Sequence, residues 1–220
     1  MPAAGKLDAR AAPDAPTSPD PIARLVTGQA DPVTRDAFEI ALRPPALVVL
    51  IGAAGAGKTT LATRLFGADE ILSSDDLRAA ISGDAADQRA TRPAFATLHR
   101  EVARRLAVGR IVVVDATSVE RPARQTLLRL GTAGDATTIA VVLALPAKLV
   151  RERNRSRPDR QVPPDVVDRH LALVTRLIES SEGVPDARLR QEGFETVVVA
   201  RTVADVDRIG LVRLPLISLQ

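Results

Sequence analysis

The sequence predicts an α/β fold in which a parallel sheet is flanked by helices, and three observations predict it. Apolar runs such as Leu47-Val48-Val49-Leu50-Ile51, Ile111-Val112-Val113-Val114 and Ile139-Ala140-Val141-Val142-Leu143 carry no polar alternation, as strands buried on both faces require. These runs take turns with segments of helical period, the pattern of parallel strands joined by crossover helices. The glycine-rich stretch Gly52-Ala53-Ala54-Gly55-Ala56-Gly57-Lys58-Thr59 lies between the first run and a periodic segment holding Leu61, Ala62, Leu65 and Phe66. Strand, glycine loop, helix is the context of a phosphate-binding P-loop.

Taken in order, residues 1–20 are dense in Pro, Ala and Asp and read as a disordered tail. Residues 21–43 carry short helical patterns (Ile22, Leu25, Val26; then Ala37, Phe38, Ile40, Ala41) and end at Pro44-Pro45. Residues 1–45 are therefore expected to form an N-terminal extension, and 46–220 the main domain. Strands are expected at 46–51, 69–73, 110–115, 138–145 and 194–200. Helices are expected near 58–66, 75–81, 92–108, 121–131, 146–156, 164–180 and 203–209. In the third of these Phe95, Leu98, Val102 and Leu106 recur every three or four residues.

Composition narrows the function. The 220 residues, 45% hydrophobic and 26% charged, suit a globular chain with a full core. No window approaches the length of apolar sequence that spans a bilayer, and the N-terminus lacks the hydrophobic segment of a secretory signal. A cytoplasmic location with no membrane association is expected. The absence of cysteine excludes disulfides, thiolate zinc sites and cysteine nucleophiles. With only His99 and His170, a multi-histidine metal site is not expected either. Positive charge is almost all arginine, the residue whose planar fork matches phosphate, although a general replacement of Lys by Arg explains the total equally well. Four phenylalanines and no Trp or Tyr leave little from which to build a base-stacking platform.

The P-loop residue types have a chemical reason. Backbone N–H groups from Gly52, Gly55, Ala56 and Gly57 curl inward around a polyphosphate, and the following helix adds the positive end of its dipole. Lys58 reaches the β- and γ-phosphates, the Thr59 hydroxyl ligates Mg²⁺, and Thr60 beside it is expected to bind the nucleotide as well. A bound nucleoside triphosphate follows. Three more clusters fall after strands, where open α/β sheets bind ligands. In Ser73-Ser74-Asp75-Asp76-Leu77-Arg78, Asp75 is placed to act as a general base and Arg78 to hold a substrate phosphate. An ordinary helix start capped by Ser74 or Asp75 would look the same. Asp115, in Asp115-Ala116-Thr117-Ser118, could hold metal-bound water or help cap the next helix, which Pro122 enters. The run from Arg151 to Arg160 puts Arg153 and Arg157 on one helix face, with Arg160 beyond Pro158. Crowded cations need anions, here phosphates, unless the face is simply solvated. On the next amphipathic segment His170 reads as a packed residue, as does His99 on its own helix.

Together these positions resemble the kinase domain of bacterial polynucleotide kinase-phosphatase, from about Val48 to Val199. The resemblance rests on the P-loop, on Ile71-Leu72-Ser73-Ser74-Asp75-x-x-Arg78, and on Asp87-Gln88 through Phe95 to Leu98-His99. It continues in Val113-Val114-Asp115-Ala116-Thr117, Glu152-Arg153-Asn154-x-x-Arg157-x-Asp159-Arg160-Gln161-Val162 and Arg190-Gln191-Glu192-Gly193-Phe194. It implies a P-loop kinase fold, with a five-stranded parallel sheet in order 2-3-1-4-5 and an arginine-bearing helical lid. It also implies transfer of the γ-phosphoryl group of ATP to the 5′-OH of RNA or DNA, with Mg²⁺. By matching position Lys58 stabilises the transferring group, Thr59 holds the metal, and Asp75 is the base. Arg78 would grip the acceptor's 3′-phosphate, Arg153 and Arg157 would cover the donor phosphates, and Arg160 would support the lid. The relatives fuse this domain to a phosphatase and a ligase, so a separate phosphatase or ligase is the partner implied. A kinase for a small metabolite or nucleotide, and a non-catalytic ATP-binding module, are the competing expectations.

Overall fold

A computed structural model describes residues 38–84, 88–158, 161–179 and 186–215. Its centre is a five-stranded sheet of β2 (Ala46–Ile51), β3 (Ile71–Ser73), β4 (Ile111–Asp115), β5 (Thr137–Leu143) and β6 (Thr196–Ala200). The strand order is β3-β4-β2-β5-β6 and every pairing is parallel. Numbered among themselves these five run 2-3-1-4-5, the order the resemblance implied.

The unbroken apolar runs become central strands because both of their faces are covered. Every residue of β2 and of β4 is buried. Successive side chains point to opposite faces, so Leu47, Val49 and Ile51 join one core cluster while Val48 and Leu50 join the other. The first cluster lies under α3 (Thr91–Ala107), α4 (Arg121–Ala133) and α6 (Pro164–Ile178) through residues such as Leu98, Leu127 and Val174. The second lies under α1 (Lys58–Leu65) through Leu61 and Ala62. Each fully buried Val or Leu contributes roughly 1.5–3 kcal/mol of transfer free energy. In α3 the buried face is Ala94, Leu98, Val102 and Leu106; three of the four expected stripe residues are buried, and Phe95, left partly exposed, gives its place to Ala94.

The remaining helices are α2 (Ser74–Ser82), α5 (Ala147–Arg155), α7 (Ala187–Glu192) and α8 (Val203–Arg208). Of these α7 has no counterpart in the sequence reading. A second correction concerns the segment before the P-loop strand. Ala37 to Ala41 was expected to be helical and to belong to the extension, but Glu39–Leu42 is β1, paired in parallel with β7 (Gly210–Arg213). Ile40 and Leu42 are buried in the second cluster with Val48 and Leu50. Phe38, Ile40 and Leu42 alternate, and that period of two prevailed over the helical spacing because a distant strand supplies the partner. Residues 1–37 of the expected extension lie outside the described residues. The new strand is anchored: Arg213 forks onto Glu70 at 2.6 and 2.8 Å, and that guanidinium holds the Glu70 carboxyl below its ordinary range. Among the described residues no helix is long and apolar enough to cross a membrane.

Candidate active site

The parallel register brings three chemically loaded strand ends side by side. Val49 of β2 pairs with Val114, and Ser73 of β3 pairs with Asp115. The loops after these strands therefore open at one edge of the sheet. The loop after β2 is the glycine stretch. Gly55 and Gly57 have φ of +85° and +95°, in the left-handed region that favours glycine. Gly55 is also squeezed: a Cβ there would lie 2.8 Å from the Val150 carbonyl oxygen and 3.1 Å from the Asn154 nitrogen. Helix α5 thus rests directly on the loop. Gly55→Ala should lower stability by about 1–3 kcal/mol through backbone strain and this collision. A urea midpoint equal to that of the unaltered protein would contradict the account.

Lys58 donates from Nζ to the carbonyl oxygens of Gly52 and Ala53, both at 2.9 Å, and is 9% exposed. Its ammonium lies folded against the loop that would hold the phosphates. The next hydroxyl, Thr59 Oγ1, donates to Asp115 Oδ2 at 2.7 Å. Asp115 does not cap the next helix, because α4 begins only at Arg121 and its N-cap is Glu120. Thr117 does not cap that helix either; its carbonyl accepts from Gly52 N–H at 3.1 Å and ties the β4 loop to the glycine loop. A hydroxyl and a carboxylate alone are a sparse donor set, and no cluster of three or more metal-ligating side chains occurs among the described residues. That suits Mg²⁺, which keeps several waters and takes its other ligands from substrate phosphates.

After β3 the helix cap is Ser73, whose side chain accepts from Asp76 N–H at 3.2 Å. Neither Ser74 nor Asp75 serves as the cap. Asp75 in the first turn of α2 instead makes an ion pair with Arg78, one turn on. Arg78 is 6% exposed and also donates Nε to the Ser74 carbonyl at 3.2 Å. The two sequence candidates are therefore held together.

Helix α5 ends at Arg155, ahead of Pro158, so Arg157 lies beyond the helix and not on the face it was expected to share with Arg153, because the turn before the proline has already left the helix. Arg153 leans over the glycine loop, its Nη1 3.6 Å from where a Gly57 Cβ would stand. Arg160 lies outside the described residues. Asn154 is a residue whose role the sequence did not reveal. It is buried, donates Nδ2 to the Val162 carbonyl at 2.8 Å and accepts from Val162 N–H at 3.2 Å. A polar residue on the buried side of an otherwise basic helix was the available signal. Arg151, which belongs to the same basic run, pairs outward with Asp168 at 2.7 Å.

Two clefts result. A donor-side cleft of about 360 Å³ is lined by Gly55 through Leu61, by Arg64, Arg153 and Arg157, and by Leu145, Val203 and Val206. An acceptor-side cleft of about 590 Å³ is lined by Asp75, Arg78, Asp115, Phe95, Arg169 and His170, among others. Thr59 and Arg157 line both. Sequence reasoning did not foresee Arg64, Phe95, Arg169 or His170 as cleft residues. His170 is half-buried, not simply packed, and its buried Nδ1 has no hydrogen-bond partner among the described residues. Burial, with lesser contributions from Arg169 and Lys58, pushes its pKa below the ordinary value; Glu120 acts weakly against this. His99 is also shifted down by burial, and its ring stands 6.1 Å from that of Phe95.

Comparison with known proteins agrees with this architecture. The family model AAA_33, described as an AAA domain, matches residues 47–180. A putative kinase from Chloroflexus aurantiacus superposes with a TM-score of 0.53 at 20% identity, covering 76% of this chain and 90% of that one. A chain of the Pnkp1/Rnl/Hen1 RNA repair complex gives 0.54 at 17% identity, over 81% and 82% of the two chains. A chain of the PezAT toxin-antitoxin system of Streptococcus pneumoniae gives 0.54 at 16%, over 77% and 71%. At these identities the likeness is one of fold. No curated protein matches the sequence.

Proposed function

Because the chain belongs to the AAA domain family and has a P-loop kinase fold, we propose that it transfers the γ-phosphoryl group of ATP to the 5′-OH end of RNA or DNA. The observation that carries this is the shared wall: Thr59 and Arg157 border both the donor and the acceptor cleft. A phosphoryl group passing from one ligand to the other would cross there. The nucleotide's phosphates would lie along Gly55 to Thr60, since the Gly52 and Ala56 N–H groups expected to face them donate to the Thr117 and Ala53 carbonyls, and its base would lie against Leu145, Val203 and Val206. Thr59 and Asp115 would hold Mg²⁺, which would supply charge neutralisation at the phosphates. Asp75 takes the proton of the acceptor hydroxyl as that oxygen bonds to the γ-phosphorus and the bond to ADP breaks. Arg153 and Arg157 counter the charge that spreads over the transferring group. Arg78, already beside Asp75, grips the acceptor's 3′-phosphate and so places the hydroxyl near the base.

The test is to offer γ-labelled ATP with 5′-OH oligonucleotides of RNA and DNA and, separately, with a panel of sugars, nucleosides and other small alcohols. Label on the oligonucleotides is expected. A kinase of a small phosphorylated metabolite would use the same Asp75 and Arg78, and the acceptor cleft is of a size that suits one. Label confined to the small-molecule panel would establish that reading instead. Arg78→Ala should raise KM roughly 10- to 100-fold for acceptors with a 3′-phosphate, the worth of a charge-assisted contact. Acceptors ending in a nucleoside should suffer less. Equal loss for both would remove the 3′-phosphate from Arg78.

A further inference from the structure

A third cleft continues the acceptor cleft along the same two walls. One wall is helix α6, whose Val166, Arg169 and His170 line the acceptor cleft and whose Leu173, Arg176 and Leu177 line the next. These positions recur every three or four residues, so they form one continuous face of the helix. The opposite wall is the loop after β4. Asp115, Ala116 and Thr117 face the acceptor cleft, and Val119, Glu120 and Arg121 face its neighbour. The further cleft holds about 470 Å³ and is otherwise lined by Pro122, Arg124, Arg188, Gln191 and Glu192.

Its charge is positive for a local reason. Glu192 is bound at 2.7 Å through both oxygens by the buried Arg124, which also donates to the Ser118 and Val119 carbonyls. That pair fixes the β4 loop against α7; Arg121 Nε also reaches Glu192, at 4.0 Å, and the cleft sets Arg121, Arg124, Arg176 and Arg188 against only Glu120 and Glu192. Arg188 is steadied by donating to the Arg176 carbonyl at 2.7 Å. Among the described residues neither Arg169 nor Arg176 has an ion-pair partner.

We infer that this cleft is the path of the acceptor strand, and that phosphates 3′ to the terminal nucleotide lie along α6 from Arg169 to Arg176, opposite Arg121. The inference rests on the polynucleotide reading above and deepens it, since a small-metabolite kinase has no use for a second basic cleft. Seven helical residues advance about 10.5 Å, the stacked rise of about three nucleotides at ~3.4 Å each. The protein therefore reads a terminal nucleotide plus about three more. The contacts are to sugar-phosphate backbone, with Leu173 and Leu177 as an apolar floor. They carry no base sequence.

The experiment is fluorescence-anisotropy binding of 5′-OH oligonucleotides of two, four and eight nucleotides, RNA and DNA, across a salt series. With the unaltered protein, affinity and salt slope should rise from two nucleotides to four or five and then level off. Arg121→Ala/Arg176→Ala should weaken the eight-nucleotide strand by about 10-fold and reduce its salt slope by about 1.4, the value for two phosphate contacts on a single strand. The dinucleotide should be unaffected. Arg121→Lys/Arg176→Lys should restore most of the loss, because a point charge suffices for phosphate. Affinity independent of strand length, or equal losses for two and eight nucleotides, would overturn the inference. Length-dependent binding through these arginines without phosphoryl transfer would leave the path intact and sink the kinase reading instead.

Discussion

Asp75→Asn should lower kcat for phosphoryl transfer at least about 10²-fold, the usual contribution of a positioned base, while leaving the affinity for ATP nearly unchanged. Asp75 lines the acceptor cleft and not the donor cleft, which is why the two quantities should separate. The Asn amide keeps the shape of the carboxylate and can still accept from Arg78, so the variant isolates the loss of the charge. Steady-state kinetics with a 5′-OH oligonucleotide, alongside nucleotide binding by calorimetry, make the measurement. An Asn variant that binds ATP normally and retains every activity would favour a non-catalytic ATP-binding module.

Lys58→Ala should be at least as severe, with a loss of 10²-fold or more in kcat and weaker nucleotide binding. In the structure its Nζ is satisfied by the Gly52 and Ala53 carbonyls. Binding ATP exchanges two neutral acceptors for charged phosphate oxygens, and charge-assisted hydrogen bonds are roughly twice as strong. The same residue thus satisfies the loop carbonyls when the phosphates are absent and would counter the phosphate charge when they are present. Lys58→Arg should not rescue turnover, because the fork is larger than the space against Gly52 and Ala53. Full activity in the Arg variant would show that only a positive charge is needed there.

Most of the fold was legible because its strands obey one rule. Runs such as Ile111–Val114, apolar on every residue, can only be strands covered on both sides, and the glycine loop fixes which strand comes first. The pairing of β1 with β7 was not legible. Each is four residues long, and neither has meaning until the other, some 170 positions away, arrives beside it. Helix α7 was hidden in the same way: six residues are too few to show a period.

The site divided similarly. Residues whose type demands a reason, such as Lys58 in a lysine-poor chain or Asp75 and Arg78 after a strand, could be found one motif at a time. Residues that matter by position could not. Arg169 and His170 join the acceptor cleft only because α6 folds back across the sheet edge, and nothing in their own neighbourhood distinguishes them. Asn154 was within a recognised motif, yet its bonds to Val162 needed the fold to appear.

The contact between Gly55 and helix α5 has a mechanical meaning. With the Val150 carbonyl resting on a residue that has no side chain to yield, the loop cannot shift toward the helix without displacing it. A nucleotide that reshapes the loop by a few tenths of an ångström would tilt α5 and carry Arg153 with it. Donor occupancy would then be signalled to the roof of the site without any rotation between domains.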